Sequence, residues 1–218
     1  MKLRQDFSPE IRNVFFDFGG VIMDVHLERT LAAFVELGVS RLSAEQTQAG
    51  SGTFFDAHER GAITTEKFLE ELRKLLPDGG NIPEAKIWNA WHALLGGFVP
   101  ARIELLRRLA RERRYRIFVL SNTNPPHRNR FREMFREQFG GDFDAIFEKT
   151  FYSDELGSVK PEAAIYERAA QAAGVVLAES LFIDDNAANV AGARACGWHA
   201  YHLVVGKENI LDLFEPAE

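Results

Sequence analysis

The chain has 218 residues, 46% hydrophobic and 27% charged, enough to bury one large core or two modest ones. A net charge of −6 argues against a general nucleic-acid binder, and the basic runs at 107–108 and 111–116 read as solvated helix faces. One cysteine, Cys196, leaves no internal disulfide, no apolar stretch nears the ~18 residues of a membrane span, and residues 1–10 lack the apolar core of a signal peptide, so a soluble cytoplasmic protein is expected.

The first element is an apolar run, Val14-Phe15-Phe16, that ends in Asp17 and is followed by Gly19 and Gly20. It reads as a buried strand that delivers a carboxylate to its C-terminal edge. From 24 to 98 the pattern is helical alone, with helices at 27–37, around 44–60, at 65–76 and at 83–95. Gly96-Gly97 and Val99-Pro100 form a hinge back. An all-helical insert after a first strand predicts a lid that closes over a site and excludes water. The expected division is a core of 1–23 and 99–218 with a helical cap at 24–98.

Beyond residue 100 strands and helices alternate. Ile103, Leu106, Leu109 and Ala110 form a helical stripe before a strand at 116–120, and Phe131, Phe135 and Phe139 mark a helix at 128–139. A short strand follows at 145–152. Pro161 opens a helix at its favoured first position and Gly174 closes it. A strand at 181–183, a helix at 189–196 and a strand at 199–205 complete the series. This predicts a Rossmann-like, doubly wound parallel α/β sheet carrying the inserted helical cap, with ligands bound at the C-terminal strand edge.

Four segments at such edges carry chemistry. Asp17 alone reads equally as a nucleophile or as a turn residue. Asp184-Asp185 are adjacent carboxylates after a buried strand, which repel unless a cation lies between them, and Mg²⁺ prefers such hard oxygen ligands. Ser121 and Asn122 can grip phosphate oxygens, although Ser-Asn-Thr-Asn also suits a plain turn. Lys160 sits before Pro161 near a helix N-terminus, a natural anion site, although a single lysine is most often a surface residue. Asn186 suits a helix cap.

In this order the four segments resemble the four motifs of the haloacid dehalogenase superfamily, and the insert resembles that superfamily's type-one cap. The resemblance spans residues 11 to 205. Residues 55–68 with His58-Glu59-Arg60-Gly61, residues 121–124, Lys160-Pro161-Glu162-Ala163 and Asp184-Asp185-Asn186 resemble its bacterial α-glucose-1-phosphate phosphatase-like branch. The resemblance implies that Asp17 is nucleophile and metal ligand, and that the Gly19 carbonyl and Asp185, with Asp184 beside them, complete the Mg²⁺ site. It also implies that Ser121, Asn122 and Lys160 bind phosphate, with Lys160 balancing the charge of Asp17.

One departure matters. Most phosphatases of the group carry a second Asp two residues after the nucleophile as general acid and base, and here that position is Gly19. The loss bears most on poor leaving groups, so an acidic leaving hydroxyl such as the anomeric oxygen of a sugar 1-phosphate is expected. Asp24, His26, His58 or Glu59 are the candidate replacement donors. His58 and Arg60 are also expected to face substrate from the cap. His127 reads equally as a phosphate-pocket residue and as a helix-start histidine. His92, His199 and His202 read as structural, and Trp88, Trp91, Leu94 and Leu95 as cap core.

The expected function is a Mg²⁺-dependent phosphatase acting on a small phosphorylated metabolite, a monomer or weak homodimer with no nucleic-acid or membrane partner. Two alternatives stand beside it: a haloacid dehalogenase, and a catalytically weak protein that binds a phosphorylated ligand.

Overall fold

The computed structural model describes residues 1–40, 42–43, 47, 51–77 and 81–216. A short strand β1 (Lys2–Leu3) pairs antiparallel with the last strand, β9 (Phe214–Glu215). The central sheet is wholly parallel. Its order is β6 (Lys149–Tyr152), β5 (Arg116–Ser121), β2 (Asn13–Phe16), β7 (Ser180–Asp184), β8 (His199–His202). The chain thus builds outward from β2 to one side and then to the other. The end of β2 lies between the ends of β5 and β7, at the switch in strand order where open α/β sheets bind ligands.

Strand β2 is buried at every position, as a parallel strand covered on both faces must be. Its side chains alternate between two cores. Val14 and Phe16 join Ile117, Val119, Leu181 and Ile183 on one face, while Phe15 joins Phe118, Leu120, Phe182 and Tyr166 on the other. Phe15 stacks on Phe118 with ring centroids 4.4 Å apart and meets the edge of Trp198 at 4.7 Å. Such pairs add about 0.5–1.5 kcal/mol each beyond area burial, so the strand that carries Asp17 is held rigidly.

Helices α1 (Leu27–Glu36), α2 (Phe54–Glu59), α3 (Thr65–Leu75) and α4 (Glu84–His92) gather around a third cluster, built on Phe34, Phe55, Phe68, Leu72, Ile87 and Trp91. The Thr64 hydroxyl caps α3 by accepting from the Lys67 amide at 3.2 Å. The expected helix around 44–60 is observed as α2, and its 44–50 portion, apart from residue 47, lies outside the described residues. Helices α5 (Pro100–Glu112), α6 (Pro125–Phe139), α7 (Ser153–Leu156), α8 (Ala163–Ala173) and α9 (Ala187–Ala195) complete the chain around the sheet.

Three local expectations are corrected. The stretch 24–98 is not helical alone, because β3 (Met23–Val25) and β4 (Leu95–Phe98) pair antiparallel at its two ends. Gly96 belongs to that ribbon rather than to a hinge: a Cβ there would lie 2.7 Å from the His26 ring and 2.8 Å from the Asp24 carbonyl, so the strands approach only over bare backbone. The strand expected at 145–152 splits into a 3₁₀ turn at Asp144–Ile146 and β6, with Tyr152 donating to Asp144 at 2.6 Å. Pro161 is not the first helical residue. Glu162, with ψ of 139°, is the cap, and α8 begins at Ala163.

Candidate active site

Strand pairing continues one residue past β2, where the Asp17 amide donates to the Ile183 carbonyl at 2.8 Å. The chain then turns tightly: the Ile22 amide donates to Phe18 and the Gly20 amide to Met23, at 2.9 and 2.8 Å. Gly20 has φ of 72°, and a Cβ on it would lie 2.3 Å from Asp185 Oδ2. Glycine alone therefore lets the Asp185 carboxylate close on the turn that carries Asp17.

Asp17, Asp184 and Asp185 each offer an oxygen within 4.8 Å of the others. The compensating cation in contact with this group is Lys160, 2% exposed, whose Nζ donates to Asp17 Oδ1 and Asp184 Oδ2 at 2.7 Å each. Asp184 is fully engaged. Besides Lys160 it accepts from the Asn186 amide at 2.8 Å and from Asn189 Nδ2 at 3.1 Å on both oxygens. Asp17 and Asp185 face a cavity of about 870 Å³ that opens over the sheet edge. Three carboxylates against one ammonium leave an excess of negative charge on hard oxygens, the donor set that Mg²⁺ takes. The residues present fit that ion: Asp17 and Asp185 face the cavity with oxygens close enough to share one cation, and Gly19 lines the cavity beside them.

The electrostatics follow from burial. Desolvation pushes the Asp17 carboxyl up to about 7; Lys160 opposes this, while Asp184 and Asp185 add to it. Desolvation pulls the Lys160 ammonium down, but Asp17 and Asp184 outweigh it and the net displacement is upward. Asp185 is raised by burial and by Asp184. A divalent cation among these carboxylates would favour their ionised forms.

Ser121 and Asn122 both line the cavity at the end of β5. The Asn122 side chain, however, is committed to the backbone of Lys160: its Oδ1 accepts from the Lys160 amide at 2.9 Å and its Nδ2 donates to the Lys160 carbonyl at 3.0 Å. What its amide does here is aim Lys160 at the two carboxylates. Ser121 Oγ donates only weakly, to the Asn122 carbonyl at 3.3 Å, and is open to the cavity.

The expectation that His58 and Arg60 face substrate is corrected. His58 is 1% exposed, stacks on Phe68 at 4.0 Å and lies within hydrogen-bond distance of Thr65 Oγ1 at 3.4 Å; burial pulls its pKa down to about 4. The Arg60 guanidinium is held by Asp56, with Nε 3.0 Å from both carboxylate oxygens, and by Glu162 at 2.7–2.8 Å. Glu59, between them, lines the cavity. His127 also lines it but has both ring nitrogens engaged, Nε2 with the Trp91 carbonyl at 2.9 Å and Nδ1 with Asn124 at 3.1 Å. Accepting at Nδ1 and donating at Nε2 makes it a neutral positioning group, and burial pulls its pKa down to about 3. Trp91, Leu94 and Leu95, expected as cap core, also form the cavity's apolar wall with Val25 and Leu27.

Two site residues carry no sequence signal that singled them out. Asn189 locks Asp184 from the first turn of α9, and Glu162 ties Arg60 to the sheet side of the cavity while accepting from Ser158 Oγ at 2.9 Å.

The sequence and the fold have counterparts. A model of the family described as haloacid dehalogenase-like hydrolase matches residues 11–197. A D-ribitol-5-phosphate phosphatase of Bacteroides thetaiotaomicron is 27% identical over 191 residues, 88% of this chain and 91% of its own length. A sesquiterpene phosphatase of Aspergillus oryzae is 27% identical over 199 residues, covering 91% and 92%. A crystal structure of a haloacid dehalogenase-family enzyme of Bacteroides thetaiotaomicron, in complex with magnesium and inorganic phosphate, matches with a TM-score of 0.82 and 29% identity over 91% of this chain and 96% of that one. An L-2-haloacid dehalogenase shares the fold at a TM-score of 0.57 and 21% identity, over 91% and 89% of the two chains. The chain therefore belongs to the haloacid dehalogenase-like hydrolases.

Proposed function

We propose that the protein is a Mg²⁺-dependent phosphoric monoester hydrolase acting on a small phosphorylated metabolite through an aspartyl-phosphate at Asp17. The observation that carries this reading is the cluster of Asp17, Asp184 and Asp185 around one buried lysine at the cavity floor. Attack on carbon needs no cation, so a dehalogenase has no use for that excess of carboxylates. Relatives named as phosphatases support the same choice. Bound Mg²⁺ would supply positive charge against the phosphoryl oxygens.

The chain's own residues do the rest. Lys160, aimed by Asn122 and anchored by Asp184, holds Asp17 in place and offers charge to the incoming phosphate. Ser121 Oγ is a donor for a phosphoryl oxygen from the cavity side. Asp17 attacks phosphorus opposite the ester oxygen, the phosphoryl group passes to its carboxylate, and water then cleaves the acyl phosphate. The helical part at 24–98 is the cap of this reading, its Trp91, Leu94 and Leu95 covering the leaving group and excluding water. A sugar phosphate such as a hexose 1-phosphate is the substrate we put first, in the cytoplasm and with the protein as a monomer or weak homodimer. The lone Cys196 suits that reducing compartment.

The test is phosphate release from a panel of sugar, polyol and isoprenoid phosphates with and without Mg²⁺, with chloroacetate as control. Release that needs Mg²⁺ and is abolished by a chelator is the expected result. Chloride release without metal would point to the dehalogenase, and no turnover of any ester to a binding protein.

A further inference from the structure

We propose that Glu59 is the general acid and base of this enzyme, supplied from the helical cap in place of the side chain missing at Gly19. The inference rests on the phosphatase reading above and extends it to the leaving group.

The position two residues after the nucleophile, Gly19, carries no donor. A Cβ at Gly19 would lie 3.1 Å from Val25 Cγ2, so a side chain there would crowd an apolar neighbour. Asp24, His26 and Glu59 are the other acidic or imidazole side chains, beyond the engaged His127 and the metal-site pair Asp17 and Asp185, that line the cavity among the described residues. Asp24 is half-exposed and ion-paired with Arg102 at 2.8 Å, so its carboxylate is already engaged. His26 is turned toward Glu28, with Nδ1 3.2 Å from its carboxylate. Glu59 makes no hydrogen bond or ion pair among the described residues, so both its oxygens are available to substrate.

Its placement is fixed from both sides. On the preceding turn of α2, His58 is packed on Phe68 and Asp56 grips Arg60. On the following side, Arg60 crosses to Glu162, and Gly61, with φ of 67°, lies so close to α7 that a Cβ would come 2.2 Å from the Asp154 carbonyl. The cap thus docks on the sheet domain through the residues flanking Glu59, which leaves its carboxyl unengaged at the cavity among the described residues. Three charged groups face it: Asp56 and Arg60 from its own segment, and Lys160 from the cavity floor. Burial, reinforced by Asp56 and opposed by Lys160 and Arg60, pushes the carboxyl up to about 8, so it holds its proton at neutral pH.

The proton balance closes. As Asp17 attacks, the P–O ester bond breaks, its electron pair stays on the leaving oxygen, and the Glu59 proton passes to that oxygen, releasing the alcohol and leaving Glu59 as a carboxylate. In the second step water attacks phosphorus and the P–O bond to Asp17 breaks. One water proton goes to Glu59, which restores the acid, and the other leaves with the phosphate. An acid so placed serves esters of ordinary alcohols, whose oxygens cannot depart as anions. The substrate class then widens from sugar 1-phosphates to alkyl phosphates, including polyol phosphates.

The experiment compares wild type and Glu59→Gln in Mg²⁺ on two probes, p-nitrophenyl phosphate, whose leaving group departs as an anion, and a series of primary-alkyl phosphates. Glu59→Gln is expected to lower first-turnover alcohol release from alkyl phosphates about 10²–10⁴-fold while changing first-turnover release of p-nitrophenolate, read before the phospho-enzyme hydrolyses, less than about 10-fold. The second rate also reports that the variant is folded. In the wild type, alkyl phosphate turnover should fall as pH rises through about 8, where the acid loses its proton, with no such limb for p-nitrophenyl phosphate. An equal fall on both probes, or an alkaline limb that persists in Glu59→Gln, overturns the assignment. A wild type that releases phosphate from no ester overturns the phosphatase reading itself, a failure seen before any variant is made.

Discussion

Asp17→Asn is expected to abolish metal-dependent phosphate release, by about 10⁴–10⁶-fold, the range that removal of a covalent nucleophile costs. The amide keeps the shape of the carboxylate but not its electron pair. Folding should survive, because Lys160 retains Asp184 at 2.7 Å and the cavity floor loses one of three crowded negative charges. The check is single-turnover phosphate release beside a urea unfolding curve. A variant that unfolds at the wild-type midpoint yet still turns over would remove Asp17 from the chemistry.

Lys160→Met has the second largest expected effect, and it falls on stability as well as activity. The ammonium bridges Asp17 and Asp184, both buried, and its loss leaves two carboxylates without their shared cation. Removing one partner of a buried ion pair costs about 3–5 kcal/mol. The deficit should shrink as pH is lowered, since protonating either carboxylate removes uncompensated charge. It should also shrink when Mg²⁺ is added, since a ligand that binds only the folded state stabilises it. Urea midpoints at neutral and acidic pH, with and without Mg²⁺, read both dependences. A variant as stable as wild type without metal would mean that the pair contributes little.

The residues that carry attack and charge balance were legible because each closes an apolar run that can only be a buried strand. Val14 to Phe16, Phe118 to Leu120 and Leu181 to Ile183 leave Asp17, Ser121 and Asp184 no place but the strand ends, and parallel pairing brings those ends together. Lys160 was legible only as a lysine ahead of a proline. Its contacts come from the reciprocal hydrogen bonds with Asn122, which join residues 38 apart in the chain.

The cap contacts were less legible for a geometric reason. His58, Glu59 and Arg60 are consecutive, so each points about 100° from the next around a helix of 3.6 residues per turn. The phase is set by Phe55 and Phe68 in the third core and by Gly61 on α7, which turn His58 inward, Arg60 to Glu162 and Glu59 to the cavity. The β3–β4 ribbon was hidden for a related reason: a strand of Leu-Gly-Gly-Phe carries no alternation to read, and its glycines mean close backbone approach rather than a hinge.

The central claim is a covalent phosphoryl-enzyme at Asp17, and borohydride trapping tests it most directly. Wild-type protein is quenched during turnover of its best ester and reduced, which converts an acyl phosphate to the alcohol, and the modified residue is located by peptide mass spectrometry. The account predicts homoserine at position 17, formed only when ester and Mg²⁺ are both present. Rapid hydrolysis with Asp17 unmodified, or reduction found instead at Asp184 or Asp185, would contradict it.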